Sequence, residues 1–460
     1  MIADFKPYAE YKESGLPWLG RVPGHWETRK LKHVTQFVNG LPFKPGDWKA
    51  AGVPIIRIQN LNGSDAFNYT NRDNLPAELL IQPGDLMFAW SGNRGTSFGP
   101  FQWNRQFSGY LNQHIFKLVG HTLPNRYFYY VLRAVTRHVE EQAGGIIGLV
   151  HVTKPELGSV RVSLAPPSEQ AAIVRFLDWA NGRLERAIRA KRKVIALLNE
   201  QKQAIIHRAV TRGLDPSVPL KPSGIPWLGD IPQHWGIVRN LALFSHRIEQ
   251  GIPGFPVLQV SLHSGITAEE LDQFGRPKRL IADHTKYKLI RKHDLAYNTM
   301  RMWQGAVGVC PTDGLVSPAY VVIRPRTGSD PAFYEFVFRT AVYKQEVNRH
   351  STGIVSDRNR LYWESFKQMP NVLLPIDEQQ EICRFIQEAT SGLNTAISRL
   401  EREIELLREY RTRLVADAVT GKLDVREAAT QLPDEAPPET AEDDTDLSDE
   451  PEAADEEAAV

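Results

Sequence analysis

The sequence predicts an α+β chain of two tandem mixed α/β domains, each followed by a long helix. The two helices are expected to pair as an antiparallel coiled coil with pseudo-two-fold symmetry. Three observations carry this expectation. A set of short motifs returns at a constant offset of 209 residues. Each copy runs through the same order of apolar strands, a helix and a last strand. Each copy ends in an apolar pattern with 4-3 spacing, held over about four heptads.

The duplication is direct. Ser14-Gly15-Leu16-Pro17-Trp18-Leu19-Gly20 returns as Ser223-Gly224-Ile225-Pro226-Trp227-Leu228-Gly229, and Pro23, His25 and Trp26 return as Pro232, His234 and Trp235. Far downstream, Pro166, Glu169, Gln170, Arg175 and Phe176 match Pro375, Glu378, Gln379, Arg384 and Phe385. Asp85-Leu86 lines up with Asp294-Leu295. Between these blocks identity is sparse, so the copies share a frame and differ in their filling. A solenoid would need shorter and more numerous units.

Each copy opens with a Pro/Gly/Trp-rich segment too broken for a helix. In the first, Val53–Ile58, Asp85–Trp90, Ile115–Val119 and Val160–Leu164 read as strands, and Asn125–Gln142 as a helix. In the second, Pro256–Ser261, Asp294–Thr299, Tyr320–Arg324 and Asn371–Leu374 read as strands, with a helix near Pro331–Asn348. Long helices follow over about Glu169–Arg208 and Glu378–Ala418. Ser168 and Asp377 suit their N-caps, and Glu169 and Glu378 the positive helix end. The expected divisions are 1–165, 166–213, 214–374, 375–426 and an acidic, disordered tail over 427–460.

The seam of the first helix is Leu184, Ile188, Lys191, Ile195, Leu198, Lys202, Ile205 and Ala209. That of the second is Leu393, Ile397, Leu400, Ile404, Leu407, Arg411, Leu414 and Ala418, the same list shifted by 209. Lys191, Lys202 and Arg411 are expected to weaken it. A helix of ~40 residues reaches ~60 Å, more than a small domain needs, which favours helix pairing over packing on one domain.

Composition excludes several classes. No run of ~18 apolar residues offers a membrane span, and the N-terminus shows no apolar signal segment. The two cysteines, Cys310 and Cys383, are too few for a disulfide framework or a Cys-rich zinc site. A soluble, cytoplasmic protein is the expectation. The formal net charge of +1 hides an asymmetry: residues 431–460 hold 13 acidic and no basic groups, leaving 55 basic against 41 acidic in residues 1–430, a net of +14. A basic body fits phosphate neutralisation. The tail, without aromatics, is expected to stay unfolded; a solvating role is the plain reading, and competition with DNA for the basic surface the sharper alternative.

No catalytic motif is found. The Pro166-Pro167 pair lacks the Asp/Asn before it and the aromatic after it that an adenine methyltransferase loop needs. Gly421-Lys422 is followed by Leu423, which breaks a phosphate-binding loop. The histidines show no metal-ligand spacing.

Taken together, the doubled Ser-Gly-Leu/Ile-Pro-Trp-Leu-Gly motif, the Pro-Pro-Ser-Glu-Gln run at 166–170 and its copy at 375–379 resemble the specificity subunit of type I restriction–modification enzymes. Asn298-Thr299-Met300-Arg301 through Gly305-Ala306-Val307-Gly308, then Ser317-Pro318-Ala319-Tyr320, resembles one recurrent type of its target-recognition domain. The resemblance spans about residues 8–426. It implies two target-recognition domains, each reading one part of a split, asymmetric site on double-stranded DNA. It implies helices that dock two methyltransferase (M) subunits, and restriction (R) subunits that join them. S-adenosylmethionine, ATP and Mg would sit on those partners, with no catalytic residue, cofactor or metal in this chain. The acidic tail departs from the family pattern.

Base readers are expected among Arg, Asn, Gln, Lys and Ser on loops at strand ends, because these match the donors and acceptors of the major groove. In the first copy the candidates are Arg57, Gln59, Asn60 and Asn62, then Ser91, Asn93 and Arg94, then His151 behind the glycine-rich 144–148. Asn112-Gln113-His114 is a lesser candidate. In the second they are Gln259 and Ser261 (with His263 beyond), then Arg301, Trp303 and Gln304, then Arg358, Asn359 and Arg360. Trp90 and Trp303 are candidates for stacking at the backbone edge. Two alternatives stay open: a self-contained methyltransferase or nuclease with unrecognised motifs, and a coiled-coil scaffold that binds only proteins.

Overall fold

A computed structural model describes residues 6–142, 149–262, 265–267, 283–353 and 359–433. The chain forms two compact units, one from 1–189 with 404–460, the other from 190–403. Each long helix therefore begins in one unit and ends in the other.

In unit 1, β1 (Tyr11–Glu13) pairs with β2 (Arg21–Pro23), and β3 (Glu27–Lys30) leads to β4 (Gln36–Asn39). Next come β5 (Val53–Ile56), the short α1 (Ile58–Leu61), β6 (Asn68–Thr70), β7 (Leu80–Ile81), β8 (Leu86–Ala89), β9 (Ser91–Asn93), β10 (Gly99–Gln102), β11 (Gly109–Leu111) and β12 (Ile115–Val119). Helix α2 (Asn125–Gln142), β13 (Leu149–His151), α3 (Lys154–Ser159) and β14 (Arg161–Leu164) complete the domain, and α4 (Pro167–Arg212) leaves it. Two four-stranded sheets result, ordered β10-β8-β12-β4 and β6-β5-β11-β7. Helix α2 buries Tyr127, Phe128, Val131, Leu132 and Val135 in the main core, as its amphipathic spacing requires.

Unit 2 repeats the plan. Here β15 (Leu220–Pro222), β16 (Asp230–Pro232), β17 (Gly236–Arg239), α5 (Asn240–Leu243), β18 (Phe244–Arg247), β19 (Gln259–Ser261), β20 (Gly265–Thr267), β21 (Lys288–Ile290), β22 (Leu295–Asn298), β23 (Val307–Val309), β24 (Gly314–Val316) and β25 (Tyr320–Pro325) precede α6 (Pro331–Arg339) and α7 (Ala341–His350). Then come α8 (Trp363–Phe366), β26 (Pro370–Leu373) and α9 (Ile376–Val419), whose last part returns to unit 1 with α10 (Arg426–Thr430).

The 209-residue shift holds at the level of single hydrogen bonds. Val152 N–H donates to Trp90 O at 3.0 Å and Leu361 N–H to Thr299 O at 2.9 Å; Gln82 N–H donates to Asp85 Oδ2 at 2.9 Å and Arg291 N–H to Asp294 Oδ2 at 3.0 Å. Strand β14 pairs with β3, and β26 with β17, in the same shifted register. The repeated Glu locks the opening motif: Glu169 accepts from His25 (2.7 Å) and the buried Trp26 indole (3.0 Å), Glu378 from His234 (2.8 Å) and Trp235 (2.9 Å).

Both long helices start at a proline or just after one, carry acidic residues in their first turn, and stop beside a glycine with φ near +70° (Gly213 at 69°, Gly421 at 76°), the backbone form that ends helices. All the seam positions are buried or half-buried, including Leu184, Ile195, Leu198, Ile205, Leu393, Leu400 and Leu407. Off the seam, Leu197 and Leu406 are exposed. Within unit 1, Glu185 meets Arg411 at 3.3 Å and Glu169 meets Arg426 at 3.4 Å; within unit 2, Lys191 meets Glu403 at 2.5 Å and Lys202 meets Asn394 at 2.7 Å. In both units one index rises as the other falls, so the helices run antiparallel. The three basic seam residues thus form cross-helix polar pairs, where the sequence suggested only weak points.

Three boundaries differ from expectation. The helix near 331–348 is two helices, broken at Thr340, whose hydroxyl caps α7 by accepting from Tyr343 N–H at 3.3 Å. The strand expected from Pro256 starts at Gln259, because prolines at 253 and 256 cannot donate to a ladder. The ordered body runs past 426: α10 takes in 427–430, with Ala429 buried, because Val425, Ala428 and Ala429 give the chain an apolar face to bury. The rest of the expected tail, from 434, lies outside the described residues.

Candidate nucleic-acid interface

In unit 1 the site is assembled where two parallel strands end side by side. Strand β5 ends at Ile56 and β11 at Leu111, and Asn112 N–H donates to Ile56 O at 3.0 Å. The turns after both strands therefore lie together, and Arg57, Ile58, Gln59, Asn112, His114 and Ile115 line a pocket of about 200 Å³. Gly40 makes this possible: a Cβ there would sit 2.0 Å from Asn112 O.

The candidates on the first loop divide by role. Gln59 is exposed, its amide donating to Ala66 O at 3.1 Å. Arg57 donates to Asn68 Oδ1 at 3.0 Å and lies over the Trp48 ring at 5.2 Å. Asn62 is half-buried at the end of α1. Asn60 is 2% exposed; it accepts from Arg57 N–H at 3.0 Å and donates to Ser64 O and Ala66 O at 3.1 and 3.0 Å. Its amide is consumed in shaping the loop, so it positions Arg57 and Gln59.

Trp90 ties the remaining loops to this edge. Its N–H donates to His114 O at 3.2 Å and its indole to Gln113 O at 3.1 Å. Its ring centroid lies 5.2 Å from that of His114 and 4.9 Å from that of His151. His151, exposed, faces Ser91 across the β9–β13 ladder. Asn93 and Arg94 are exposed at the far end of β9, where Glu140 holds the turn by accepting from Gly95 N–H at 2.9 Å while Arg94 donates to Glu140 O at 2.7 Å. The 144–148 loop lies outside the described residues. The structure thus brings Arg57, Gln59, Ser91 and His151 to one edge, together with Gln113 and His114. The latter pair gave little signal in sequence, because nothing local shows that β11 runs parallel to β5.

In unit 2, Gln259 and Ser261 are half-buried on the β19–β20 hairpin, facing Thr267 and Gly265. His263 lies outside the described residues. Arg339 holds this hairpin, donating to Leu262 O at 2.7 Å and to Glu335 Oε1 at 3.3 Å, while Glu335 Oε2 accepts from Val309 N–H at 3.0 Å. Burial pushes the Glu335 carboxyl up and the Arg339 guanidinium down, as desolvation of a charged pair requires.

The turn after β22 carries Arg301, Trp303 and Gln304. Trp303 donates to Met300 O at 3.0 Å and Met302 is fully buried beneath it. Among the described residues the Arg301 guanidinium and Gln304 amide have no hydrogen-bond partner, and both are half-buried. The Thr299–Leu361 hydrogen bond draws the 359–361 segment to the same turn. Arg360 is exposed there, its backbone paired with Thr352, and Asn359 donates to Asn348 Oδ1 at 2.8 Å. Arg358 lies outside the described residues. The sequence reading missed His246, stacked on Trp363 with centroids 5.2 Å apart; burial first, and then Lys288, push its pKa down. Among the described residues no group of three or more His, Cys, Asp or Glu could hold a metal ion, and no helix is long and apolar enough to cross a membrane.

Residues 23–192 match the family described as the type I restriction modification DNA specificity domain. The chain is 21% identical over 447 residues to the type I restriction enzyme EcoBI specificity subunit of Escherichia coli, covering 90% of both. It is 20% identical over 443 residues to the StySPI specificity subunit of Salmonella potsdam, covering 88% of this chain and 90% of that one. Residues 23–192 thus match that DNA specificity domain, and the chain over most of its length is similar to type I specificity subunits. Among solved structures, a chain from work on complex assembly and conformational transition of the type I R-M system superposes with a TM-score of 0.52 at 14% identity, over 87% of this chain and 99% of that chain. That likeness is one of fold.

Proposed function

We propose that this chain recognises a bipartite, asymmetric sequence on double-stranded DNA, each unit reading one half-site. The observation that carries this is the contrast between frame and loops. The hydrogen-bonded frame repeats at one offset, whereas the loops it positions carry Arg57, Gln59, Ser91, His114 and His151 in one unit and Gln259, Arg301, Gln304 and Arg360 in the other. Different side chains on equivalent loops suit different base edges. The basic residues of the body serve the phosphates.

On this reading the chain positions two methyltransferase subunits, which bind S-adenosylmethionine and methylate adenine. Restriction subunits using ATP and Mg join them to cut unmodified DNA. The chain supplies recognition and carries no catalytic group. The test is to replace residues 30–160 with the same segment of another specificity subunit and map adenine methylation by single-molecule sequencing. One half-site changes and the other stays. Lengthening the helix near Arg208–Gly213 alters the gap between them. If both half-sites change together after the exchange, the modular reading is wrong.

A further inference from the structure

In unit 2 the β19–β20 hairpin is a two-stranded ribbon laid on a sheet. Its side chains alternate between two faces, as a strand requires. Leu258, Val260 and Ile266 are buried in one cluster with Ala296, Ala306, Cys310 and Val322. Gln259, Ser261 and Thr267, one residue out of phase, are half-buried on the other face. Among the described residues the Gln259 amide has no hydrogen-bond partner. The ribbon's backbone lies directly on β23: a Cβ on Gly308 would come 2.5 Å from Ile266 N and 2.7 Å from Gly265 Cα.

A two-stranded ribbon is marginal by itself in water, and a charge pair on α6 holds this one. Arg339 donates to Leu262 O at 2.7 Å and meets Glu335 at 3.3 Å. Glu335 accepts from Val309 N–H at 3.0 Å, and its other oxygen would lie 2.9 Å from a Cβ on Gly265. Ribbon, strand and helix therefore meet at two side chains, 21% and 23% exposed. Such a pair is a poor device for stability alone. Desolvating two charges offsets most of their attraction, and apolar residues of similar volume hold as well. What the pair adds is direction, because hydrogen bonds of narrow length and angle fix where the ribbon sits on the sheet. The pair is also absent from the repeated frame. Its copies at the 209-residue offset are Arg126 and Tyr130, and both bond Asp178 of α4 instead. It belongs to what differs between the units, as the candidate base-reading loops do.

We propose that Glu335 and Arg339 are specificity-determining positioning residues, which hold the β19–β20 ribbon where Gln259 and Ser261 meet base edges of the unit 2 half-site. This rests on the reading of unit 2 as the reader of one half-site. The Gln259 amide carries the donor and acceptor that match the adenine edge in the major groove, and a two-point contact of that kind tolerates little displacement. Phosphate contacts keep the protein in register on the duplex, so a shifted ribbon loses discrimination before the complex loses affinity.

The experiment expresses the full chain with the methyltransferase subunits of the same restriction–modification system and reads the methylated motif by single-molecule sequencing. The variant Glu335→Gln/Arg339→Met keeps the packed volume and an acceptor for Val309 N–H, and removes both charges and the donor to Leu262 O. Its melting curve matches that of the wild type. Methylation at sites with one wrong base in the unit 2 half-site rises about tenfold or more, the discrimination one good base contact supplies, and the unit 1 half-site keeps its letters. The relaxed positions are those relaxed by Gln259→Ala or Ser261→Ala. An unchanged motif, relaxation at other positions, or a general loss of methylation with a lowered melting curve makes the pair a structural support and overturns the proposal, while leaving the functional reading intact. A wild-type motif that is not bipartite overturns that reading itself.

Discussion

Replacing Glu169 by Ala costs more than replacing Glu378 by Ala, although the two glutamates are copies of one another. Glu169 is 6% exposed and accepts from His25, Trp26 and Tyr8, with Arg426 at 3.4 Å. Its loss strands the fully buried Trp26 indole N–H and the Tyr8 hydroxyl beside Arg426. The side chains of His25 and Arg426, 47% and 45% exposed, regain water, so the cost lies in the two stranded buried donors, at about 1–3 kcal/mol each. About 4 kcal/mol is therefore expected in unit 1. Glu378, with its side chain 24% exposed, accepts among the described residues from His234 and Trp235 alone. His234 regains water once released, so one stranded indole remains, at about 1–3 kcal/mol. Unfolding of two units is not a single transition, so the assay is amide hydrogen exchange resolved by peptide. Opening of residues 167–180 in Glu169→Ala is compared with that of 376–389 in Glu378→Ala. Equal costs, or a larger cost for Glu378→Ala, would refute the claim that the Tyr8 contact adds to the unit 1 lock.

Two further outcomes follow from burial. Ile404→Ala on the seam, at 6% exposure, destabilises by about 2–4 kcal/mol in urea titration, whereas Leu406→Ala two residues on, at 48%, stays within about 0.5 kcal/mol; comparable losses would place the helix contact elsewhere. Burial pushes the Cys310 and Cys383 thiols up to about 12 from an ordinary 9.0, so a thiol reagent at pH 8 leaves the folded chain untouched and titrates both on unfolding. The native state then holds protons that the unfolded state releases, so stability falls as pH rises above about 9, which melting curves at pH 8 and 10 check.

The frame was legible because its residues act in sequence-local or repeated roles. The 4-3 spacing picks out positions that the helices bury or half-bury along their seam, and the 209-residue offset alone identifies Glu169 and Glu378 as equivalent. The failures are of another kind. Lys191, Lys202 and Arg411 look like seam defects until the opposing Glu403, Asn394 and Glu185 are known. That pairing depends on the antiparallel register, which no single helix encodes. Thr340 breaks a helix because its hydroxyl caps the next one, and spacing alone cannot separate a cap from a tolerated threonine.

The same distinction explains the site. Loop membership came from glycines and polar runs, but a residue's role within the loop depends on which groups its side chain already serves. Asn60 and Gln59 are neighbours of similar chemistry, yet one is enclosed by Ser64 and Ala66 and the other reaches solvent. His114 joins Arg57 only because β11 lies parallel to β5 and Gly40 lets the backbone of Asn112 approach. Such a juxtaposition is a property of strand order, and strand order within each filled domain is what the duplication leaves free to vary. A frame held by repeated residues and loops placed by unrepeated pairings can keep its geometry while its contacts change, which is the physical condition for new sequence specificity on an unaltered scaffold.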